Sequence, residues 1–253
     1  MPDISPHDPI RLDGLVALVT GAGGGIGDRA ARLLAERGAR VALADRDADA
    51  LAEAGFGAAS SVHRLDLVAD GAPDRVVSEV LARHGRLDLL INSAGINARS
   101  APAVTSREEW ARVLEVNLSG TFRMIQAAYD ALRASPSAAV VSLTSTAAAV
   151  AVPQNAAYST SKAGLVHLTR VLASEWAADG IRLNTVAPTI VATAMTAAVR
   201  EDPVYMAEKL ASIPLGRMAS VDDVAQAIAF LASPAAGMVT GQTLFVDGGV
   251  TTR

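Results

Sequence analysis

A doubly wound α/β domain is what the sequence predicts, on three observations. Short apolar runs alternate with amphipathic stretches from Leu15 onward, those runs are apolar almost throughout, and no linker or internal repeat interrupts them. Strands covered by helices on both faces require that pattern. With 253 residues, 51% of them hydrophobic, the chain is long enough for one large core.

Residues 1–10 carry Pro2, Pro6 and Pro9 and read as an extended tail, leaving 11–253 as a single folded domain. The first strand is LVALVT (15–20), followed by a helix over 25–37 and a second strand, RVALAD (40–45). Next come a strand in VHRLD (62–66), a helix over 73–84, a strand in LDLLIN (87–92) and one long helix over 107–133. The pattern continues with AAVVSLT (138–144), a helix over 156–178 and IRLNTVA (181–187). Two helical stretches, 203–211 and 221–231, precede a last strand in TLFVDGG (243–249).

Several functions are disfavoured at once. The formal net charge of −4 leaves no domain-wide basic field for a phosphate backbone, so nucleic acid is not an expected partner. The lack of cysteine excludes a disulfide framework, a thiolate metal site and a cysteine nucleophile. His7, His63, His84 and His167 are never three or four residues apart, and no metal site is expected. The G-x-S-x-G elbow of a serine hydrolase is absent. The opening MPDISPHDPIRLDG lacks the basic and apolar regions of an export signal. No run approaches the roughly 20 apolar residues of a membrane span, so no membrane association and a cytoplasmic location are expected. Of the 22 basic residues only Lys162 and Lys209 are lysines, the ordinary surface cation here being arginine.

The first apolar run leads directly into Gly21-Ala22-Gly23-Gly24-Gly25-Ile26-Gly27 and then a helix. Glycines let the backbone turn sharply and approach a ligand, and the N–H groups and dipole at a helix N-terminus favour an anion such as pyrophosphate. The spacing is T-G-x-x-x-G-x-G, built on Gly21, Gly25 and Gly27, without the Lys-Ser/Thr ending of a nucleoside-triphosphate loop. Asp45 ends the second strand, 24 positions beyond Gly21, where a carboxylate can accept hydrogen bonds from the adenosine ribose. Its charge and the side-chain-free Gly24 disfavour a 2′-phosphate, so NAD is expected over NADP, with Arg46 arguing the other way.

Tyr158 and Lys162 lie four apart at the start of a helix and share a face. A phenol titrates near pKa 10, but a unit charge at about 4 Å and an effective dielectric near 20 is worth on the order of 4 kcal/mol, or about three pKa units. That would bring Tyr158 into the range where acid–base catalysis works at neutral pH. The strand before this helix delivers Ser145 to the carboxyl edge of the sheet, where its hydroxyl can hold a substrate oxygen.

These residues together resemble the short-chain dehydrogenase/reductase family over about residues 12–249. TGAGGGIG, the NSAG string at 92–95, Asn117 in EVNLSG, Ser145 thirteen residues before Tyr158, the Tyr158-x-x-x-Lys162 pair and TGQTLFVDGG stand in the family's order. The resemblance implies a Rossmann-type domain with a seven-stranded parallel sheet. It also implies a homotetramer built partly through the helices near Asn117 and Tyr158. Tyr158 would be the acid/base and Ser145 would orient the substrate oxygen. Lys162 would lower the Tyr158 pKa and hold the nicotinamide ribose, and Asn117 would position a water in a relay through Lys162. Gly21, Gly25, Ile26 and Gly27 would meet the pyrophosphate. Asp66 would bond the adenine beside Leu67, the Asn92 region would line the cleft, and Val191 and Thr193 would bind on the carboxamide side.

Two positions depart from the family's habit. Pro188-Thr189 stands where Pro-Gly is common, and Ser93 replaces the second Asn of N-N-A-G. The Pro-Thr pair and Glu175-Trp176 resemble polyol and sugar-alcohol dehydrogenases. The expected activity is therefore hydride transfer between NAD and a secondary alcohol: a polyol, a sugar or a small hydroxyketone. Residues 194–216, with Met195, Tyr205 and Met206, are expected to form a substrate lid whose few charges argue against large anionic substrates. A 3-oxoacyl thioester reductase, which would want NADPH and an arginine patch at the cleft mouth, is the alternative enzyme. A non-catalytic NAD(H)-binding regulator is the alternative outside catalysis.

Overall fold

The computed structural model describes residues 10–252. Residues 1–9 of the expected tail lie outside the described residues, and Ile10 packs against the core instead of extending from it.

The chain runs β1 (Val16–Thr20), α1 (Gly25–Glu36), β2 (Arg40–Asp45), α2 (Ala48–Glu53), β3 (Ser61–Arg64), α3 (Ala72–His84) and β4 (Leu89–Asn92). It continues with α4 (Arg107–Leu114), α5 (Thr121–Arg133), β5 (Ala139–Leu143), α6 (Ala156–Trp176) and β6 (Arg182–Pro188). The last elements are α7 (Ala197–Arg200), α8 (Pro203–Ala211), α9 (Val221–Ala232) and β7 (Thr243–Val246). Seven strands pair in parallel in the order β3-β2-β1-β4-β5-β6-β7, the sheet that the family resemblance implies.

Successive β1 residues point to opposite faces, and each face has its own helices. Ala17 and Val19 join α1 and α9 in one cluster, with Leu34 and Ile228 fully buried. Val16 and Leu18 join α3, α5 and α6 in the other, around Val76, Ile125 and Leu172. Strand order reverses between β1 and β4, which opens a crevice beyond their carboxyl ends.

The expected long helix over 107–133 is interrupted. Its middle, Glu115–Gly120, is a π-helical turn between α4 and α5, a widening that periodicity alone does not reveal. Helices α2 and α7 were not expected. Only Leu51 of the six residues in α2 is buried, so no apolar stripe marks it, and Asp47 starts it by accepting the Ala50 N–H at 3.1 Å. Strand β7 stops at Val246 because Asp247 turns the chain by accepting the Gly249 and Thr251 N–H groups, each at 2.9 Å.

Two anchors hold the architecture around the crevice. Asp88, fully buried, accepts the Val16 N–H at 2.8 Å, both arms of Arg86 at 2.8 and 2.7 Å, and the Ser135 hydroxyl. It ties the starts of β1 and β4 to the turn before β5. The segment between β6 and α9, which carries α7 and α8, is pinched at its base: Val191 bridges Ala219, and the Ala219 N–H donates to the Ile190 carbonyl at 3.2 Å.

Asp88→Ala leaves the buried Val16 N–H without its acceptor, and should lower unfolding free energy by about 1–3 kcal/mol. Urea denaturation checks this; a wild-type midpoint at unchanged slope refutes it.

Candidate active site

Close backbone approach builds the glycine turn. Gly21 has φ +67°, and a Cβ there would stand 2.6 Å from the Ala94 nitrogen; a Cβ on Gly27 would lie 2.1 Å from the Gly21 carbonyl oxygen. Helix α1 starts at Gly24 without a side-chain cap, so its first amides face the crevice with no side-chain acceptor. Asp45 is held at the crevice by backbone N–H groups, from Gly23 at 3.1 Å and from Asp47 at 3.3 Å. Asp66, two residues past β3, accepts the Val68 N–H at 3.2 Å, and the Leu67 carbonyl accepts from Arg123 at 3.2 Å.

A continuous cleft of about 510 Å³ runs from this turn to Ser145, Tyr158 and Lys162. The sheet and α6 assemble that far end. Thr144 hooks onto β6 through its N–H and hydroxyl, at 2.8 and 3.0 Å from the Val186 carbonyl, and delivers Ser145 beyond β5. Ser145 accepts the Ala147 N–H at 3.1 Å and hydrogen-bonds Tyr158. Lys162, 4% exposed, donates to the last carbonyl of β5, Leu143, at 2.8 Å. Its ammonium nitrogen is 5.7 Å from the centre of the Tyr158 ring.

Most of the expected cofactor residues line this one cleft: Gly21, Gly25, Ile26, Gly27, Asp45, Asp66, Leu67, Val191 and Thr193. Two expected residues do not. Asn92 is turned into the sheet, where it donates to the Ser142 hydroxyl at 3.1 Å, and its neighbours Ser93, Ala94 and Gly95 form the wall instead. Asn117 is fully buried; its side-chain amide donates to the Ile96 carbonyl at 2.8 Å and accepts the Ile96 N–H at 2.8 Å. Its amide also reaches the Ser161 hydroxyl at 3.1 Å, so it braces the wall beside Lys162.

The electrostatic expectation for Tyr158 is corrected too. Burial pushes the phenol up, against the downward pull of the Ser145 hydrogen bond, and burial lowers Lys162 itself to about 8. The ammonium donates to the Leu143 carbonyl, and the pull that opposes desolvation at the phenol comes from Ser145.

Sequence reasoning missed the basic character of the cleft's outer end. Arg99, Arg112 and Lys209 line it, brought together from the segment after β4, from α4 and from α8. The signal available was the rarity of lysine: both lysines of the chain face this cleft. Two histidines that never neighbour in sequence also converge, away from the cleft. His63 and His84 each meet the Ser61 hydroxyl at 2.8 Å, and Glu79 accepts from His63.

The cleft fits a nicotinamide dinucleotide. It joins an uncapped helix terminus and two carboxylates at one end to buried polar groups at the other, where Asn155 Oδ1 and Thr189 Oγ1 have no hydrogen-bond partner. Comparison with known proteins agrees with that arrangement. A family model described as enoyl-(acyl carrier protein) reductase matches residues 21–251. D-threitol dehydrogenase of Mycolicibacterium smegmatis is 44% identical over 258 residues, covering 99% of this chain and 98% of that protein. The 3-oxoacyl-(acyl-carrier-protein) reductase of Vibrio cholerae is 35% identical, covering 95% and 99%. A gluconate 5-dehydrogenase from Burkholderia cenocepacia, solved in complex with NADP and tartrate, superposes with a TM-score of 0.91 at 34% identity, covering 97% and 98%. The chain belongs to the short-chain dehydrogenase/reductase family. It is an enzyme, an oxidoreductase of that family, and the regulator reading is set aside.

Because burial favours the neutral amine of Lys162, the folded protein binds fewer protons than the unfolded chain between about pH 8 and pH 10.5. Stability should therefore rise with pH across that window. Lys162→Met should remove that rise in urea midpoints of the cofactor-free protein; equal slopes for both proteins refute it. Gly27→Ala, which drives a methyl into the Gly21 carbonyl, should abolish dinucleotide binding in a fluorescence titration, and retained affinity refutes the turn's role.

Proposed function

We propose that this protein moves hydride between NAD and a secondary alcohol, with a polyol, sugar or small hydroxyketone as substrate. The observation that carries the reading is the convergence of Ser145, Tyr158 and Lys162 on one cleft whose opposite end holds Asp45 beside the glycine turn. A bound oxidised dinucleotide supplies the hydride acceptor and a positive charge.

Tyr158 Oη takes the proton of the substrate hydroxyl as hydride leaves the carbinol carbon. Ser145, its oxygen fixed by the Ala147 N–H, directs its hydroxyl at the same substrate oxygen. Lys162 would hold the nicotinamide ribose, and the hydrogen bond from Ser145 opposes the upward pull of burial on the phenol. Asn117 positions the loop at Ile96 beside Lys162 and would order a water in a proton relay through that lysine. Val191, Thr193 and the turn residues Gly21, Gly25, Ile26 and Gly27 hold the cofactor, with Asp66 and Leu67 at the adenine.

NAD over NADP rests on Asp45, whose fixed carboxylate would repel a 2′-phosphate. Residues 194–216 act as the lid, with Met195 and Tyr205 on the cleft side. Exposed Trp110, Phe122 and Val171 on α4, α5 and α6 support a homotetramer. No helix among the described residues is long and apolar enough to cross a membrane, in keeping with a cytoplasmic enzyme. The relative named for D-threitol supports a polyol substrate. Thioester reduction is the second reading, favoured by the relative of that name and by Arg99 and Arg112 at the cleft.

Tyr158→Phe should cut kcat by on the order of 10²–10⁴-fold while leaving dinucleotide affinity intact. Turnover as fast as wild type refutes the acid/base assignment. A higher kcat/KM with NADP than with NAD refutes the cofactor preference.

A further inference from the structure

The charge of the cleft runs against that of the chain. The protein has formal charge −4, yet five basic side chains line the cleft, Arg46, Arg99, Arg112, Lys162 and Lys209, with two carboxylates, Asp45 and Asp66. Both carboxylates belong to the glycine-turn end, where they accept backbone N–H groups. The outer end keeps Arg99, Arg112 and Lys209, and none of these has an ion-pair partner among the described residues.

Two of the three cations are held in place by the lid. Tyr205 and Lys209 are one turn apart on α8 and share a face. The Arg99 guanidinium lies over the Tyr205 ring, 5.0 Å from its centre. Lys209 is half-buried, and desolvation lowers its pKa. An arginine and a lysine lining one cleft without an anion repel each other and lose hydration. A surface pair would turn outward; these two face the cavity.

We propose that the substrate is an anionic alcohol, and that Arg99 and Lys209 grip a carboxylate at the end of the molecule remote from the carbinol carbon. This rests on the reading of the cleft as a secondary-alcohol dehydrogenase and narrows its substrate class to the carboxylate-bearing polyols and sugars, the polyhydroxy acids. The expectation that the lid's few charges argue against large anionic substrates leaves a small carboxylate open, and Arg99 adds a cation from outside the lid.

Two measurements test this. The first compares kcat/KM for matched pairs, gluconate against glucitol and threonate against threitol, with NAD and with NADP. Wild type should favour the acid of each pair, and Lys209→Met and Arg99→Met should each lower the acid-to-neutral ratio roughly 10- to 100-fold, with partial recovery in Lys209→Arg. The second titrates malonate into the enzyme–NADH complex by calorimetry; binding should be present in wild type and lost in both Met variants. A neutral preference, or variants that leave the ratio unchanged, overturns the proposal, as does absent malonate binding. Malonate binding that depends on Lys209, without turnover of any alcohol, upholds the anion site and overturns the dehydrogenase reading instead. Preference for a 3-oxoacyl-CoA thioester that depends on Arg112 but not on Lys209 overturns the proposal in favour of a phosphate-bearing arm.

Discussion

The hydrogen bond from the Lys162 ammonium to the final carbonyl of β5 organises the catalytic end of the molecule. A buried ammonium is costly unless it is hydrogen-bonded, and here the acceptor is the strand that delivers Ser145. Satisfying Lys162 therefore fixes where α6 crosses the sheet. Tyr158, one turn earlier on the same helix face, must then arrive beside the residue that follows β5. The Asn117 amide braces the adjoining wall through Ile96 and Ser161, so three elements meet around one desolvated charge.

Much of this architecture was legible because its physical causes are local. The bounds of β2 and α8 match the apolar run 40–45 and the stretch 203–211, the latter beginning on Asp202 and Pro203 with the carboxylate accepting the Val204 and Tyr205 N–H groups. The glycine turn was legible for the same reason: without glycine, Gly21 and Gly27 would clash with backbone atoms. The resemblance supplied the number of strands. What stayed hidden depended on contacts between distant segments. The π-helical turn at Glu115–Gly120 leaves no trace in spacing, and Asn92 could not be aimed without knowing that Ser142 lies across the sheet. The Tyr158 shift was misjudged for a related reason: spacing reports proximity to a charge but not the depth of burial that opposes it.

The cleft divides its tasks by charge. At the glycine turn, acidic side chains are tethered by backbone amides and cannot swing away, which suits recognition of neutral hydroxyls on a ribose. At the outer end, cations stand on longer and more adaptable side chains, one of them on a helix that belongs to the lid. Between them stand the reacting groups, Ser145 and Tyr158 partly buried and Lys162 almost wholly enclosed.

The pinch at Val191 and Ala219 has an evolutionary corollary. A parallel bridge closes the excursion that carries α7 and α8 at its neck, so insertions or exchanges beyond the neck leave the sheet's register untouched. Such a segment behaves as a cassette. Descendants of one ancestral chemistry can trade it for another and acquire a new diet, while the proton-handling apparatus is inherited unaltered.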